Sequence, residues 1–304
     1  MAAKQVLIGG GTGFIGCSLG QLLNSKGYNV INVARMPGAN NISWTALEHS
    51  GLPKSCAVIN CAGQQFMDFK KSWTPGFKQN VKNSRVFTTK ALAEAINRSH
   101  DKPKVYIVLT GVGAYEPSEK IKYDESSPTT GHDFFSKLTV VWEKAAHVEP
   151  PVRLVIIRSG AVLGRWGGMI KNMFIPFYFG LGGRIGHGRQ YLPWIHIEDL
   201  TRLILFAIEN ENVHGVLNGV APQVITNDDF TRSFAKAMRR PAVLPVPETF
   251  LNMLFNKERA MIITKGQYVV PKRVLDYGFK YNYSDIDAAC REVAHLFPKK
   301  NTVK

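Results

Sequence analysis

Short apolar runs alternate with longer amphipathic stretches through the first half of the 304-residue chain. Such runs, each only a few residues long, are typical of the buried strands of a parallel sheet. They predict strands over 6–8, 29–34, 56–60, 105–109 and 153–158. The stretches between them predict helices over about 14–26, 73–97 and 132–147. This order of strands and helices indicates an α/β fold with a doubly wound parallel sheet.

The pattern changes after Gly164. Glycine-rich segments alternate with aromatic residues up to about residue 190. A short strand then leads into a helix within 191–200, and helical stretches with loops follow, one of them over 228–238 with Asn227 as its expected cap. We therefore expect a smaller, mostly helical C-terminal lobe on the substrate side.

A glycine-rich turn joins the first predicted strand to the first predicted helix. Residues 9–16 read Gly-Gly-Gly-Thr-Gly-Phe-Ile-Gly, in which Gly11, Gly13 and Gly16 fit the dinucleotide-binding pattern G-x-G-x-x-G. We expect Gly11 to allow the tight turn, Gly13 to let a pyrophosphate approach the backbone, and Gly16 to let the helix pack close to the strand. The turn predicts a Rossmann-type fold in which Gly10, Gly11 and Gly13 lie at the cofactor.

Arg35 follows the second predicted strand, where proteins that bind NAD usually carry an acidic residue for the ribose 2′-hydroxyl. A guanidinium at this point accommodates a 2′-phosphate, whereas a carboxylate would repel it. The sequence therefore favours NADP(H) as the cofactor. We expect an NADP-binding Rossmann domain formed by 1–164 with about 191–222, and a C-terminal lobe formed by 165–190 and 223–304.

Two further strand ends are candidates for contact with the cofactor or substrate. Asn60 ends the third strand and precedes Cys61-Ala62-Gly63, so small residues and backbone amides are expected against a ribose or adenine. Thr110 ends the fourth strand, where a hydroxyl would lie near a nicotinamide ring. The polar stretch 116–131 after it is predicted to be a loop.

The chain is strongly basic, with a net charge of +15 and an isoelectric point of about 9.7. Such a surface suits nucleic acid, an anionic membrane, a phosphate-rich cofactor or an alkaline compartment. Because the lysines and arginines are scattered, with a cluster only at 299–304, and no nucleic-acid-binding motif is found, we expect no nucleic-acid partner. No apolar run reaches the ~18 residues of a membrane span. We expect an intracellular protein, cytoplasmic or in the mitochondrial matrix.

The four cysteines, Cys17, Cys56, Cys61 and Cys290, lack metal-ligand spacing, so no metal site is predicted. Three of them fall in elements expected to be buried, which indicates reduced core thiols. His196 alternates with apolar residues in Trp194-Ile195-His196-Ile197, which favours a structural histidine over a general acid.

Taken together, the chain resembles the extended short-chain dehydrogenases/reductases of the nucleotide-sugar epimerase type, and more closely their atypical subgroup of epimerase family proteins. The resemblance covers nearly the whole chain and rests on residues 10–16, 34–35, 60–63, 84–85, 158–164 and 193–200. It implies NADP(H) contacts at Thr12, Gly13, Phe14, Ile15, Arg35, Cys61, Ala62, Asn80, Arg85 and Val162.

Catalysis in the wider superfamily uses a Tyr-x-x-x-Lys pair on the helix after the fourth strand, together with a serine or threonine. Lys137 is in register with that lysine, Asp133 stands at the tyrosine position, and Thr110 is at or next to the hydroxyl position. A carboxylate of ordinary pKa is a poor proton donor at neutral pH. The donor could instead be Asp133 with a raised pKa, or a loop tyrosine: Tyr115, Tyr123 or Tyr191.

Three functions remain open at this point. The first is an NADP(H)-dependent oxidoreductase that transfers hydride to or from an unidentified carbonyl or alcohol. The second is a non-catalytic NADP(H)-binding sensor or scaffold, which the missing tyrosine suggests. The third is a nucleotide-sugar epimerase, with Lys171, Arg184 and Arg189 as candidate diphosphate ligands. The sequence indicates neither the substrate nor the oligomeric state.

Overall fold

A computed structural model describes residues 4–36, 38–68 and 71–295. In chain order, the strands of the described residues are β1 Gln5–Gly9, β2 Asn29–Ala34, β3 Asn41–Ser43, β4 Ala57–Asn60, β5 Val105–Gly111, β6 Ser118–Tyr123, β7 Arg153–Ser159, β8 Ala161–Gly164, β9 Trp194–His196, β10 Gly215–Gly219 and β11 Gln267–Val269. The predicted fold class is confirmed, because seven of these strands form one parallel sheet in the order β10-β7-β5-β4-β1-β2-β3.

The helices supply both outer layers and the C-terminal part. They are α1 Phe14–Ser25, α2 Trp44–Ser50, α3 Pro75–Arg98, α4 Phe134–Lys144, α5 Gly168–Tyr178, α6 Ile197–Glu209, α7 Asn227–Met238, α8 Glu248–Phe255, α9 Lys257–Thr264, α10 Lys272–Asp276 and α11 Ile286–Val293, with a short 3-10 turn at Val112–Ala114.

The central strands are buried on both faces, and alternate residues enter two separate cores. In β1, Val6 and Ile8 pack into the core shared with α1 and α6, whereas Leu7 packs on the other face with α2, α3 and α4. Strand order reverses at β1, which lies between β2 and β4. The carboxyl ends of these three strands therefore meet at the switch point where doubly wound folds bind ligands.

The C-terminal part is mostly helical and has its own core. Phe174 of α5, Phe230 and Phe234 of α7, and Cys290 of α11 are buried together. A smaller cluster joins α8 and α9 through Leu251. The residue ranges predicted for the Rossmann domain and the lobe stay predictions, although β10, within 191–222, does belong to the main sheet.

Several elements differ from the sequence-based expectations. The stretch 116–131 is not all loop, because β6 within it pairs with the distant β11. The strand β3 and the helix α2 were not predicted, and α4 begins at Phe134 rather than at 132. Thr226 rather than Asn227 caps α7, since the Asn227 amide oxygen instead accepts a hydrogen bond from the Ile185 N–H.

The cysteines also differ from expectation. Cys17 is exposed near the start of α1, and Cys56 and Cys61 are only half-buried. Cys17 follows the fingerprint on the outer face of the helix, while the buried face is formed by Gly16, Leu19 and Leu23. The basic cluster at 299–304 lies outside the described residues.

Candidate functional site

The glycine turn connects β1 to α1 at the switch point of the sheet. Gly10 has a φ of 74°, and a Cβ there would lie 2.7 Å from the Cα of Ala62 in the neighbouring loop. The tight turn is therefore made by Gly10, not by Gly11 as the sequence suggested. Gly11 needs to be glycine for another reason, because a Cβ at this position would overlap the side chain of Asn32 on β2.

Gly13 and Gly16 shape the N-terminus of α1. Gly16 is buried, and a Cβ on it would lie 2.6 Å from the Gly11 Cα, so glycine here lets the helix approach the turn that follows β1. Gly13 is the N-cap residue and is exposed, and no side chain caps this end of the helix. The first N–H groups of α1 therefore remain available to an anion at the positive end of the helix dipole.

Arg35 follows β2, the strand next to the glycine turn, and its side chain is exposed. It forms no ion pair with any acidic group of the described residues. Thr12 at the top of the turn is exposed as well. A cationic side chain thus stands beside the helix N-terminus without an acidic partner in the described part of the chain.

The loop after β4 is shaped by buried side chains beneath it. The Asn60 amide donates to the Thr89 hydroxyl at 2.8 Å and accepts from the Ala62 N–H at 3.0 Å. This pair of bonds fixes the path of Cys61 and Ala62 toward the glycine turn. A Cβ at Gly63 would lie only 3.2 Å from the Arg85 guanidinium, so this position also accepts little beyond glycine.

Arg85 is a buried brace of this loop. Its Nη1 donates to the carbonyls of Gln64 and Val81, at 3.0 and 3.1 Å, and its guanidinium packs between the rings of Phe66 and Trp142. Burial lowers the pKa of Arg85 to about 10. The side chain is thus part of the buried face of α3.

Phe14 connects the glycine turn with the first glycine-rich segment of the second half. Its ring lies against Gly164 and Gly167, where any Cβ would overlap it, and contacts Gly168. Val162, which lies in β8 two residues before Gly164, is half-buried. The absence of side chains at Gly164 and Gly167 therefore makes room for an aromatic ring of α1, which the sequence did not reveal.

Thr110 lies at the end of β5, but its hydroxyl is already engaged. It is buried and donates to Glu143 Oε1 on α4 at 3.1 Å. Glu143 in turn forms a bidentate ion pair with Arg158 of β7, at 2.8 and 2.7 Å. The sequence contains Glu143 and Arg158 without any spacing that pairs them, so this network could not be read from it.

Asp133 is the N-cap of α4. Its Oδ1 accepts the Ser136 N–H at 2.7 Å, while the Ser136 hydroxyl accepts the Asp133 N–H, which forms a reciprocal capping box. Oδ2 lies 3.6 Å from His132 Nε2, a neighbour that the sequence analysis did not single out. Lys137, one turn into the helix, is exposed and lies beside Gly131. The Lys137 N–H donates to the Asp133 carbonyl at 3.0 Å, and the Asp133 carboxylate is bound to backbone.

Of the three tyrosines considered as alternative proton donors, two are buried. Tyr115 is fully buried, donates to the Asn218 side chain and accepts from Arg158, and burial raises its pKa. Tyr123 is buried and stacks on Tyr115. Tyr191 is half-buried with its ring 4.8 Å from that of Tyr268.

His196 is a structural histidine. Its Nδ1 accepts the Glu198 N–H and so caps α6, and its ring lies 3.9 Å from that of Tyr283. Burial lowers the pKa of His196 to about 4, so the imidazole is neutral at physiological pH. Asp199 beside it is buried and accepts the backbone N–H groups of Asn282 and Tyr283.

Two kinds of site are not found in the described part of the chain. Its histidines, cysteines and carboxylates form no cluster that could hold a metal ion. None of its helices is long and apolar enough to cross a membrane.

Comparison with known proteins places this geometry in a family. The sequence profile of the NAD dependent epimerase/dehydratase family matches residues 6–218, which include the glycine turn and all strands from β1 to β9. The chain belongs to this family. A second profile, described as a domain of unknown function (DUF1731), matches residues 246–293.

Curated relatives match over almost their whole length. Epimerase family protein SDR39U1 from Homo sapiens is 44% identical over 290 residues, which are 95% of this chain and 99% of the relative. Epimerase family protein YfhF from Bacillus subtilis is 34% identical over 310 residues, 98% of this chain and 100% of the relative. The subgroup that the sequence motifs suggested is therefore confirmed.

Solved structures show the same architecture. The crystal structure of human epimerase family protein SDR39U1 (isoform 2) with NADPH has a TM-score of 0.95 at 44% identity and covers 96% of this chain and 100% of that one. A nucleoside-diphosphate sugar epimerase from Corynebacterium glutamicum has a TM-score of 0.76 at 25% identity, with 96% and 59% covered.

Proposed function

We propose that this chain binds NADP(H) across the carboxyl ends of β1, β2 and β4. The observation that carries the proposal is the uncapped N-terminus of α1 beside an exposed Arg35 that has no acidic partner among the described residues. A pyrophosphate suits the first and a 2′-phosphate suits the second. The glycines at positions 10 and 13 keep side chains off the turn, which would let a dinucleotide approach its backbone. The NADPH in the human relative supports the same assignment.

The residues proposed to form the cofactor groove fall into two groups by their geometry. Arg85 and Gly63 would act by shaping the loop after β4, since the Arg85 guanidinium is occupied by backbone carbonyls. The rest would line the groove itself: Gly10, Gly11, Thr12, Gly13, Phe14, Ile15, Arg35, Cys61, Ala62, Asn80 and Val162. Asn80 is exposed on the first half of α3, which leaves its amide free to reach a ligand.

The reaction we propose is hydride transfer between NADP(H) and a carbonyl or alcohol. The bound cofactor would supply the hydride. Lys137 is exposed at the start of α4. It would hold the nicotinamide ribose, and its positive charge would lower the barrier to proton transfer beside that ribose. Thr110 and Asp133 would not transfer the proton themselves. The Thr110 hydroxyl donates to Glu143, and the Asp133 carboxylate caps α4. The proton would then come from water or from the substrate's own groups.

A second candidate function is NADP(H) binding without chemistry, as a sensor or scaffold. The capping box of Asp133 favours it, since the Ser136 N–H would lose its partner if this carboxylate moved to donate a proton. A nucleotide-sugar epimerase remains the third candidate. The exposed Arg184 and Arg189 could hold a diphosphate, and a rise in Tm with nucleotide sugars would support this function.

Single-turnover oxidation of bound NADPH by a panel of small carbonyls separates the first two candidates. Oxidation that Lys137→Met slows by at least about tenfold, with NADPH affinity held within a few-fold, would support the oxidoreductase. Tight NADPH binding with no oxidation by any carbonyl would support the sensor. Failure to bind NADPH would contradict both.

A further inference from the structure

An exposed apolar surface lies on the C-terminal part of the described chain. Its side chains come from the end of α5, the turn after it, the loop before α8 and the outer face of α8. Met253 and Val243 are 79% and 76% exposed, among the highest values for large apolar side chains in the described residues. The members of this surface, called here the apolar patch, are Ile175, Phe179, Leu181, Val243, Leu244, Phe250, Met253 and Leu254.

The two segments that carry the patch are in direct contact. A Cβ at Gly180 would lie 3.3 Å from the Pro241 side chain. The backbone of 184–186 is hydrogen-bonded to Val246, which donates to the Arg184 carbonyl at 2.8 Å and accepts from the Gly186 N–H at 2.9 Å. The two segments that carry the apolar side chains are therefore neighbours in the fold. The inner side of the patch is closed by Leu251 and Phe255, which are buried under α8.

The same two segments are basic and almost free of acid. Residues 168–190 and 239–257 contain one carboxylate, Glu248. All their basic side chains are exposed, and none of them forms an ion pair with a described acidic group. These side chains are Lys171, Arg184, Arg189, Arg239, Arg240 and Lys257. An apolar surface with a cationic border calls for an anionic partner with an apolar interior.

The loop before α8 is suited to an environment without water. In residues 241–247, Pro-Ala-Val-Leu-Pro-Val-Pro, three positions lack an N–H group, and the Val246 N–H is already bonded to Arg184. Few backbone donors of this loop would therefore lose hydrogen bonds to water on entering an apolar phase. Its tip, Val243 and Leu244, is exposed.

We propose that the apolar patch docks on the surface of an anionic lipid bilayer. Val243, Leu244, Phe250 and Met253 enter the boundary between headgroups and acyl chains, while the basic border lies at the level of the lipid phosphates. A second copy of this chain is a poorer partner, because a two-fold contact would set the basic borders against each other.

Vesicle co-sedimentation tests this docking. The full chain is mixed with vesicles of phosphatidylcholine alone, or with about 30 mol% phosphatidylserine, which provides a negative surface potential. Met253→Glu and Val243→Glu place a charge in the patch, and Phe87→Glu is the matched control, since Phe87 is 60% exposed on α3. Lys257→Glu tests the basic border, with the exposed Lys280→Glu as its control. NADPH affinity and Tm verify that each variant is folded.

The expected result is binding to the anionic vesicles that is at least about tenfold stronger than to the neutral ones and weakens in high salt. Met253→Glu and Val243→Glu should each reduce binding by roughly tenfold or more, while Phe87→Glu leaves it unchanged. Absence of vesicle binding, equal binding to both vesicle types, or equal loss in Phe87→Glu would overturn the proposal. So would a concentration-dependent dimer in sedimentation velocity that Met253→Glu abolishes, because the patch would then be covered by a second copy.

Discussion

At the scale of single residues, Asp133 and Thr110 at the proposed reaction centre both form hydrogen bonds that stabilise the fold. Asp133 stands where the resembled superfamily has its tyrosine, and its position there could be predicted from the sequence through its spacing to Lys137. Its capping bond to Ser136 could have been read from the same stretch as an Asp-x-x-Ser cap. The bond between Thr110 and Glu143 could not, because it depends on how α4 lies across β5.

Replacement of Asp133 distinguishes a cap from an acid. Asp133→Ala should lower the free energy of unfolding by about 1 kcal/mol because α4 loses its N-cap. Asp133→Asn should retain most of that stability, since asparagine caps as well as aspartate. Chemical denaturation of both variants measures the difference. Equal loss of stability in the two variants would show that the negative charge, rather than the cap, is what the helix needs.

His196 should make the stability of the protein depend on pH. Burial lowers its pKa to about 4 in the folded state, whereas an unfolded imidazole has a pKa of about 6.5. Between these values the unfolded chain binds more protons, so stability falls as the pH drops from about 6.5 toward about 4. At pH 5 the loss relative to pH 7 should be about 2 kcal/mol.

The control is His196→Asn, which keeps a capping side chain but does not titrate. Its free energy of unfolding, measured by denaturation at the same two pH values, should fall by about 2 kcal/mol less than that of the wild type. An identical fall in both proteins would assign the pH dependence to other groups.

At the scale of elements, local sequence patterns predicted the strands and helices that depend mainly on local sequence. The apolar runs located β1, β2, β4, β5 and β7, and helical spacing located α1 and α3. The missed elements are short or depend on distant partners. β6 carries mostly exposed polar residues and is a strand only because β11 pairs with it. β3 has three residues and extends the sheet at its edge.

The turn between β8 and α5 gives a prediction at this scale. Gly167→Ala should lower the free energy of unfolding by about 1–3 kcal/mol, because the new Cβ would overlap the Phe14 ring. In the Phe14→Leu background the same change should cost less. A double-mutant cycle by thermal or chemical denaturation measures the coupling, and additive effects would contradict the contact between this turn and α1.

At the scale of the whole molecule, hydrogen bonds and an ion pair join the C-terminal part to the segment that follows β4. Arg259 of α9 is buried and donates to the carbonyls of Asp68 and Lys71, each at 2.8 Å. Glu258 accepts from the Trp73 indole and pairs with Lys78 of α3. These contacts join residues nearly two hundred positions apart, so no local pattern in the sequence predicts them. They place α9 beside the same segment whose Gln64 carbonyl Arg85 holds.

The central proposal for the cofactor site is that Arg35 selects a cofactor with a 2′-phosphate. Calorimetric titration of NADPH and NADH into the wild type and Arg35→Gln tests this directly. We expect the wild type to prefer NADPH by at least about tenfold, and the variant to lose that preference while its affinity for NADH stays the same. Equal affinities for the two cofactors in the wild type, or an undiminished preference for NADPH in Arg35→Gln, would contradict it.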